Sequence, residues 1–232
     1  MWNNSVEVWQ KFSEKIEVND LIKNIDNLPE FQIKLAKYIN SYYWKWKKVL
    51  EVWCEFWLTS FSLNDWFDKY LLDFDWNALE KSEKIFKYFW KKWSFIHKDM
   101  FNMDFDFKFD IIFNAWVLEH FNINEREKLL KKYSKFLKND WIMIIAIPNH
   151  YNFFYRLAYN ILLFRWKWSF PKEEKIFDMK VEIKNNWLKL IKRETVDIKN
   201  VYIMWWKIWK IIKSVFWKFI KEGYLTILTI KK

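Results

Sequence analysis

Glycine is almost missing from this chain. The 232 residues include one, where average usage would give about 16, and they include 19 tryptophans. Taken together the two counts come close to an ordinary glycine complement. As written, the chain has no glycine to spend on tight turns that need φ > 0 or a close approach of backbone to ligand. Cysteine is equally scarce. Cys54 stands alone, so an intrachain disulfide is excluded and a reducing, cytoplasmic setting is expected. Long apolar runs are absent too: Leu157–Phe164 is bracketed by Arg156 and Arg165, and Glu7, Glu14, Glu17 and Asp20 interrupt the N-terminal region. Neither a spanning helix of roughly 20 apolar residues nor a signal peptide is expected. The three histidines form no metal-ligand cluster with the cysteine, and no Ser/His/Asp set has usable spacing.

What is present points to a folded domain. At 52% hydrophobic and 30% charged residues the chain is neither disordered nor fibrous, and its length suits one domain with a sizeable core. The net charge of +11 would ordinarily suggest an anionic partner. The lysines are spread along the whole chain, however, and no basic and aromatic module stands out, so nucleic acid is not the expected partner.

Residues 1–40 read as helical, with Pro29 opening a segment from Glu30 to Ile39. Strands follow at Val49–Val52, Lys69–Asp73, Ser94–His97, Phe109–Asn114 and Ile142–Ile147, with helices between them. That alternation predicts βαβ units and a doubly wound α/β sheet. Residues 41–148 make this core, 149–185 an aromatic insertion whose Tyr151, Phe153, Phe154, Tyr155 and Tyr159 suit a lid or acceptor pocket, and 186–232 two more strands, Trp187–Val196 and Tyr224–Ile230, joined by a helical stretch.

In such a sheet the ligand sits at the carboxyl ends of the strands, and the first strand-to-helix turn must come close to it. Here that turn reads Val49-Leu50-Glu51-Val52-Trp53-Cys54-Glu55-Phe56-Trp57. With glycine in place of tryptophan it resembles the first motif of class I S-adenosylmethionine-dependent methyltransferases. Leu71-Leu72-Asp73-Phe74-Asp75, Lys98-Asp99-Met100 and the run from Phe109 to His120 resemble that family's next three motifs, with glycine expected at Trp116. Leu137-Lys138-Asn139-Asp140-Trp141 looks like the turn before its fifth strand, glycine again expected at Trp141, and Asn186-Trp187-Leu188 like the turn before its sixth.

The resemblance implies a Rossmann-like, seven-stranded sheet with an antiparallel C-terminal strand and S-adenosylmethionine as cofactor. It implies a cofactor site made of Glu51, Trp53, Cys54, Glu55, Trp57, Asp73, Phe74, Asp99, Met100, Asn114 and Trp116. Glu51 would reach the amino group of the cofactor, Asp73 both ribose hydroxyls and Asp99 the adenine amino group, with Phe74 and Met100 flanking the base. Asp75 suits a helix cap, and Glu55 departs from the usual glycine. His120 is the one candidate for acid–base work, and His150 stays open. Methyl transfer asks little of side chains, because the sulfonium is already activated.

Tryptophans standing where the family has glycine suggest that the source organism reads the codon UGA as glycine. A protein truly rich in tryptophan would place its indoles on strand and core faces instead. The expected reaction is methyl transfer to a small molecule such as a lipid, quinone or glycan precursor. An RNA methyltransferase and a non-catalytic descendant are the alternatives. The stretch 202–221, with lysines on one side and apolar residues on the other, suits contact with an anionic membrane surface or a helix covering the last strands.

Overall fold

The computed structural model describes residues 2–42, 46–54, 59–168, 170–196, 223 and 225–232. The N-terminal region forms α1 (Trp2–Glu14), α2 (Val18–Lys23) and α3 (Glu30–Ser41). The core alternates β1 (Lys48–Val52), β2 (Asp68–Asp73), α4 (Trp76–Tyr88), β3 (Ser94–His97), β4 (Phe109–Ala115), α5 (Ile123–Phe136) and β5 (Leu137–Pro148). The insertion carries α6 (Phe153–Phe164) and α7 (Lys180–Asn185), and β6 (Lys189–Val196) and β7 (Leu225–Lys231) close the chain. The stretch 202–221 lies outside the described residues.

The strand order is β3-β2-β1-β4-β5-β7-β6, parallel from β3 to β5, with β7 antiparallel to both its neighbours. Both faces of the sheet are covered, so strands are apolar on alternate residues in both directions. Leu50, Val52, Ile112, Met143 and Ile145 pack with α5 and α7; Val49, Ile111, Phe113 and Ile144 pack with α3. Local chemistry fixes the helix starts. Asp75 accepts the Asn77 N–H at the head of α4, and Asn122 with Glu125 forms a capping box on α5.

The helix ends are unusual. α4, α6 and α7 each finish in a Schellman motif, with paired bonds Trp90 N–H to Lys87 O and Lys91 N–H to Phe86 O, Trp166 to Leu163 and Lys167 to Leu162, and Trp187 to Lys184 and Leu188 to Ile183. The motif turns on a left-handed residue, normally glycine. Here that residue is Trp90 (φ 56°), Trp166 (φ 54°) and Trp187 (φ 56°), each more than nine-tenths exposed. Trp46, Trp53 and Trp116 are left-handed as well, so tryptophan fills six of the eight left-handed positions among the described residues. The segment expected as a turn before β5 differs from expectation: β5 already begins at Leu137, and the left-handed residue within it is Asp140 (φ 65°) and not Trp141. The lone Gly223 sits against β6, where a Cβ would collide with the backbone carbonyl of Val196.

Candidate functional site

The chain direction reverses its spread through the sheet between β1 and β4, and a crevice opens there at the carboxyl ends of the strands. β1 delivers Glu51, Trp53 and Cys54 to it, and β2 delivers Asp73 and Phe74. Glu55 and Trp57 lie outside the described residues. Asp73 is buried, its Oδ1 accepting the Asp75 N–H at 2.9 Å and its Oδ2 3.9 Å from the Cys54 thiol. Asp99 accepts from the Phe101 N–H and from Asn102, which fixes the turn after β3. Asp73, Phe74, Asp99 and Met100 line one hollow with Trp53, and only about 10 Å³ of it is open. The Trp53 indole is the reason: it packs edge-on against Phe74, Trp9 and Phe121 at 5.2, 6.0 and 6.0 Å.

Asn114 and Trp116 stand apart from that hollow. The Asn114 amide donates to the Tyr133 hydroxyl at 3.0 Å inside the core, behind Met100. Trp116 turns the other way and packs on Phe31. The largest cavity, about 700 Å³, lies at the amino ends of β2 and β3 and is walled partly by Trp46, Trp66 and Trp90. It owes its shape to indoles projecting from turns and holds no part of the crevice.

Glu51 is buried beside Ser60, whose hydroxyl donates to it. Burial, with Asp73 nearby, pushes its carboxyl up from 4.5 to about 8. Burial likewise holds the His120 imidazole down from 6.5 to about 4. The two groups act on stability with opposite signs. Folding favours protonated Glu51, so stability is lost as pH rises from 4.5 through 8, whereas neutral His120 costs stability as pH falls from 6.5 towards 4. The effects offset one another below pH 6.5, and Glu51 alone acts above it. Between pH 6.5 and 8 unfolding free energy is expected to fall by up to about 1.4 kcal/mol per pH unit from this group, and Glu51→Gln to flatten that slope in urea titrations.

Another cavity, of about 110 Å³, adjoins the hollow at Asp73 across Trp9 and is lined by Trp9, Phe31, Trp116, His120, Trp168, Phe170 and Glu173. Its roof is α1, whose last turn is held by the Lys81 ammonium on the carbonyls of Ser13 and Ile16. Its floor comes from the insertion, pinned to the turn after β4 by the Glu174 N–H on the Glu119 carbonyl. Glu173 itself was not legible in advance. The Tyr155 hydroxyl donates to Glu173 at 2.6 Å, and His150 Nε2 lies 2.9 Å away. The pointers in the sequence were His150, just past the carboxyl end of β5, and the tyrosines of the insertion.

No family model and no curated protein matches the sequence. Solved structures do match. An S-adenosylmethionine-dependent methyltransferase from Clostridium acetobutylicum superposes with TM-score 0.58 at 12% identity, over 99% of this chain and 98% of that one. The N-methyltransferase NodS from Bradyrhizobium japonicum, in complex with S-adenosyl-L-homocysteine, gives 0.57 at 11%, over 87% and 85%. The mycolic acid cyclopropane synthase CmaA1, complexed with S-adenosylhomocysteine and CTAB, gives 0.59 at 12%, over 87% and 83%. The chain has the class I methyltransferase fold. The hollow at Asp73 lies at the carboxyl ends of β1, β2 and β3, on the β1 side of the switch point, and the aromatic cavity beside it opens under the insertion. Among the described residues no helix is long and apolar enough to cross a membrane.

Proposed function

We propose that this chain is a cytoplasmic S-adenosylmethionine-dependent methyltransferase of a small-molecule acceptor, and that glycine occupies its left-handed tryptophan positions in the working protein. The observation carrying the first part is the pair of buried carboxyl groups, Glu51 and Asp73, at adjacent strand ends of this topology. A carboxylate accepts from two vicinal hydroxyls at once, which suits Asp73 to a ribose. Glu51 would meet the cofactor's ammonium, and Phe74 and Met100 would flank its adenine beside Asp99.

The polar groups fit that cofactor, but an indole at position 53 does not. The three Schellman turns and the plugged hollow support glycine, through UGA read as glycine in the source organism, because both ask for a residue without a side chain. When bound, the cofactor supplies a methyl group already activated on a sulfonium. The chain's part is to hold and orient: Asp73 and Glu51 anchor the ends, and α1 with the insertion excludes water. Neutral His120 stands beside the acceptor cavity, able to take a proton.

Calorimetry with S-adenosylhomocysteine tests the cofactor reading. In a Trp53→Gly chain, Asp73→Ala is expected to weaken binding at least 100-fold; unchanged affinity, or no binding by the Trp53→Gly chain itself, overturns it. The glycine reading is tested by peptide sequencing of protein from the native host, and tryptophan at 53 and 116 there overturns it.

A further inference from the structure

We infer that the aromatic cavity beside the cofactor hollow is a subsite for a small organic cation, an ammonium group carried by the acceptor. Calling the ligand an acceptor rests on the methyltransferase reading; cation binding itself does not. Three features of the wall point the same way.

The first is ring surface. Phe170 lies 5.2 Å from Trp9, 5.5 Å from Phe12 and 5.7 Å from Trp168, and Phe31 completes the side. Aromatic faces present negative charge to a ligand and attract ammonium groups. Trp9 sits inside α1, and Trp168 donates its indole N–H to the Pro171 carbonyl at 3.2 Å. Neither is a left-handed position. Trp116 is one, and glycine there would only widen the cavity.

The second is a buried negative charge in the same wall. Glu173 is 4% exposed, and among the described residues His150 is the group paired with it. Arg156 can only donate, so at 3.0 Å it fixes His150 Nδ1 as an acceptor and leaves the ring proton on Nε2, facing Glu173. That Nε2 contact lies at an angle outside the hydrogen-bond range, so it offsets the carboxylate only in part. Tyr155 donates to the carboxylate, and the Glu173 N–H is spent on the Tyr159 hydroxyl, which locks the side chain in place. A carboxylate so buried is stabilised most by a cation.

The third is the remaining polar group. His120 faces the cavity as neutral imidazole, because burial holds its protonation down to about 4, so it does not repel a cation. The volume agrees as well. About 110 Å³ with Trp116 in the wall is close to four times the ~30 Å³ share of a liquid water, enough for an ammonium head with a few carbons.

The test uses the full chain, as written and with Trp53→Gly and Trp116→Gly, and two probes of one shape: choline, and the neutral dimethylbutanol in which carbon replaces the nitrogen. Titration by calorimetry is expected to show choline bound at least tenfold tighter than the alcohol. Glu173→Gln is expected to remove most of that preference. Phe170→Leu, which keeps an apolar side chain but loses the ring, is expected to reduce it several-fold and covers the case in which Glu173→Gln fails to fold. Equal binding of the two probes, or a preference that survives both substitutions, overturns the proposal. If choline is preferred while S-adenosylhomocysteine fails to bind, the cation subsite stands and the acceptor label falls.

Discussion

Trp53→Gly is expected to raise affinity for S-adenosylhomocysteine at least 100-fold, from no measurable binding below millimolar to the micromolar range. The hollow framed by Asp73, Phe74, Asp99 and Met100 has about 10 Å³ open, whereas a site that encloses a cofactor-sized ligand needs about 300 Å³ or more. The indole that fills it is 6% exposed and held by three aromatic rings, so it cannot simply swing out. Two stability terms compete in the unliganded protein. Deleting a buried tryptophan costs about 3–5 kcal/mol, and relieving its left-handed backbone (φ 60°) returns about 1–2. The free variant is therefore expected to melt lower than its parent. Ligand at 100 times Kd then restores about 2.7 kcal/mol. The signature is a large ligand-induced rise in Tm in the variant and none in the parent; equal shifts in both would count against the plugged-site account.

The three exposed turn positions carry the opposite sign. Replacing Trp90, Trp166 and Trp187 together by glycine is expected to raise Tm by about 4–8 °C. Each left-handed backbone costs about 1–2 kcal/mol with a side chain and nothing with glycine, while the freer unfolded chain takes back about 0.5–1. The indoles return little, being 93%, 95% and 95% exposed. The three turns end different helices far from one another in the chain, so a net gain of about 2 kcal/mol is expected to accumulate, at about 2–4 °C per kcal/mol. Trp168→Gly supplies the control. That indole is hydrogen-bonded to Pro171 and packed on Tyr159 and Phe170, so its loss must lower Tm. Destabilisation by the triple substitution as well would remove the argument that these turns ask for glycine.

The strands could be read from the sequence because burial on both faces leaves short apolar runs ended by polar residues. Asp73 and Asp75 illustrate the gain: two residues apart at a strand end, one is buried in the crevice and the other caps α4. The aromatic cavity could not be read that way. Its walls come from α1, the turn after β4 and the insertion, more than 160 residues apart between Trp9 and Phe170, and no periodicity links such segments. Asn114 shows a different limit. Its place at the end of β4 suggested a ligand contact, but side-chain direction alternates along a strand, and its amide points to Tyr133 in the core. At Asp140 the start of β5 takes a left-handed residue, and an aspartate adopts that backbone more readily than most side chains do.

Gly223 bears on how the molecule would tolerate errors in its own translation. An indole at a Schellman turn points into water, and one at position 53 blocks a ligand while leaving the sheet intact. At position 223 even a methyl group would strike the Val196 carbonyl, and the same backbone holds Asn149, next to His150, through a 2.9 Å bond to its carbonyl. Tryptophan in place of glycine would thus do damage graded by place, mild at helix ends, obstructive in the hollow and disruptive between β6 and β7. The one glycine that every decoding preserves stands where the fold has no tolerance for a mistake.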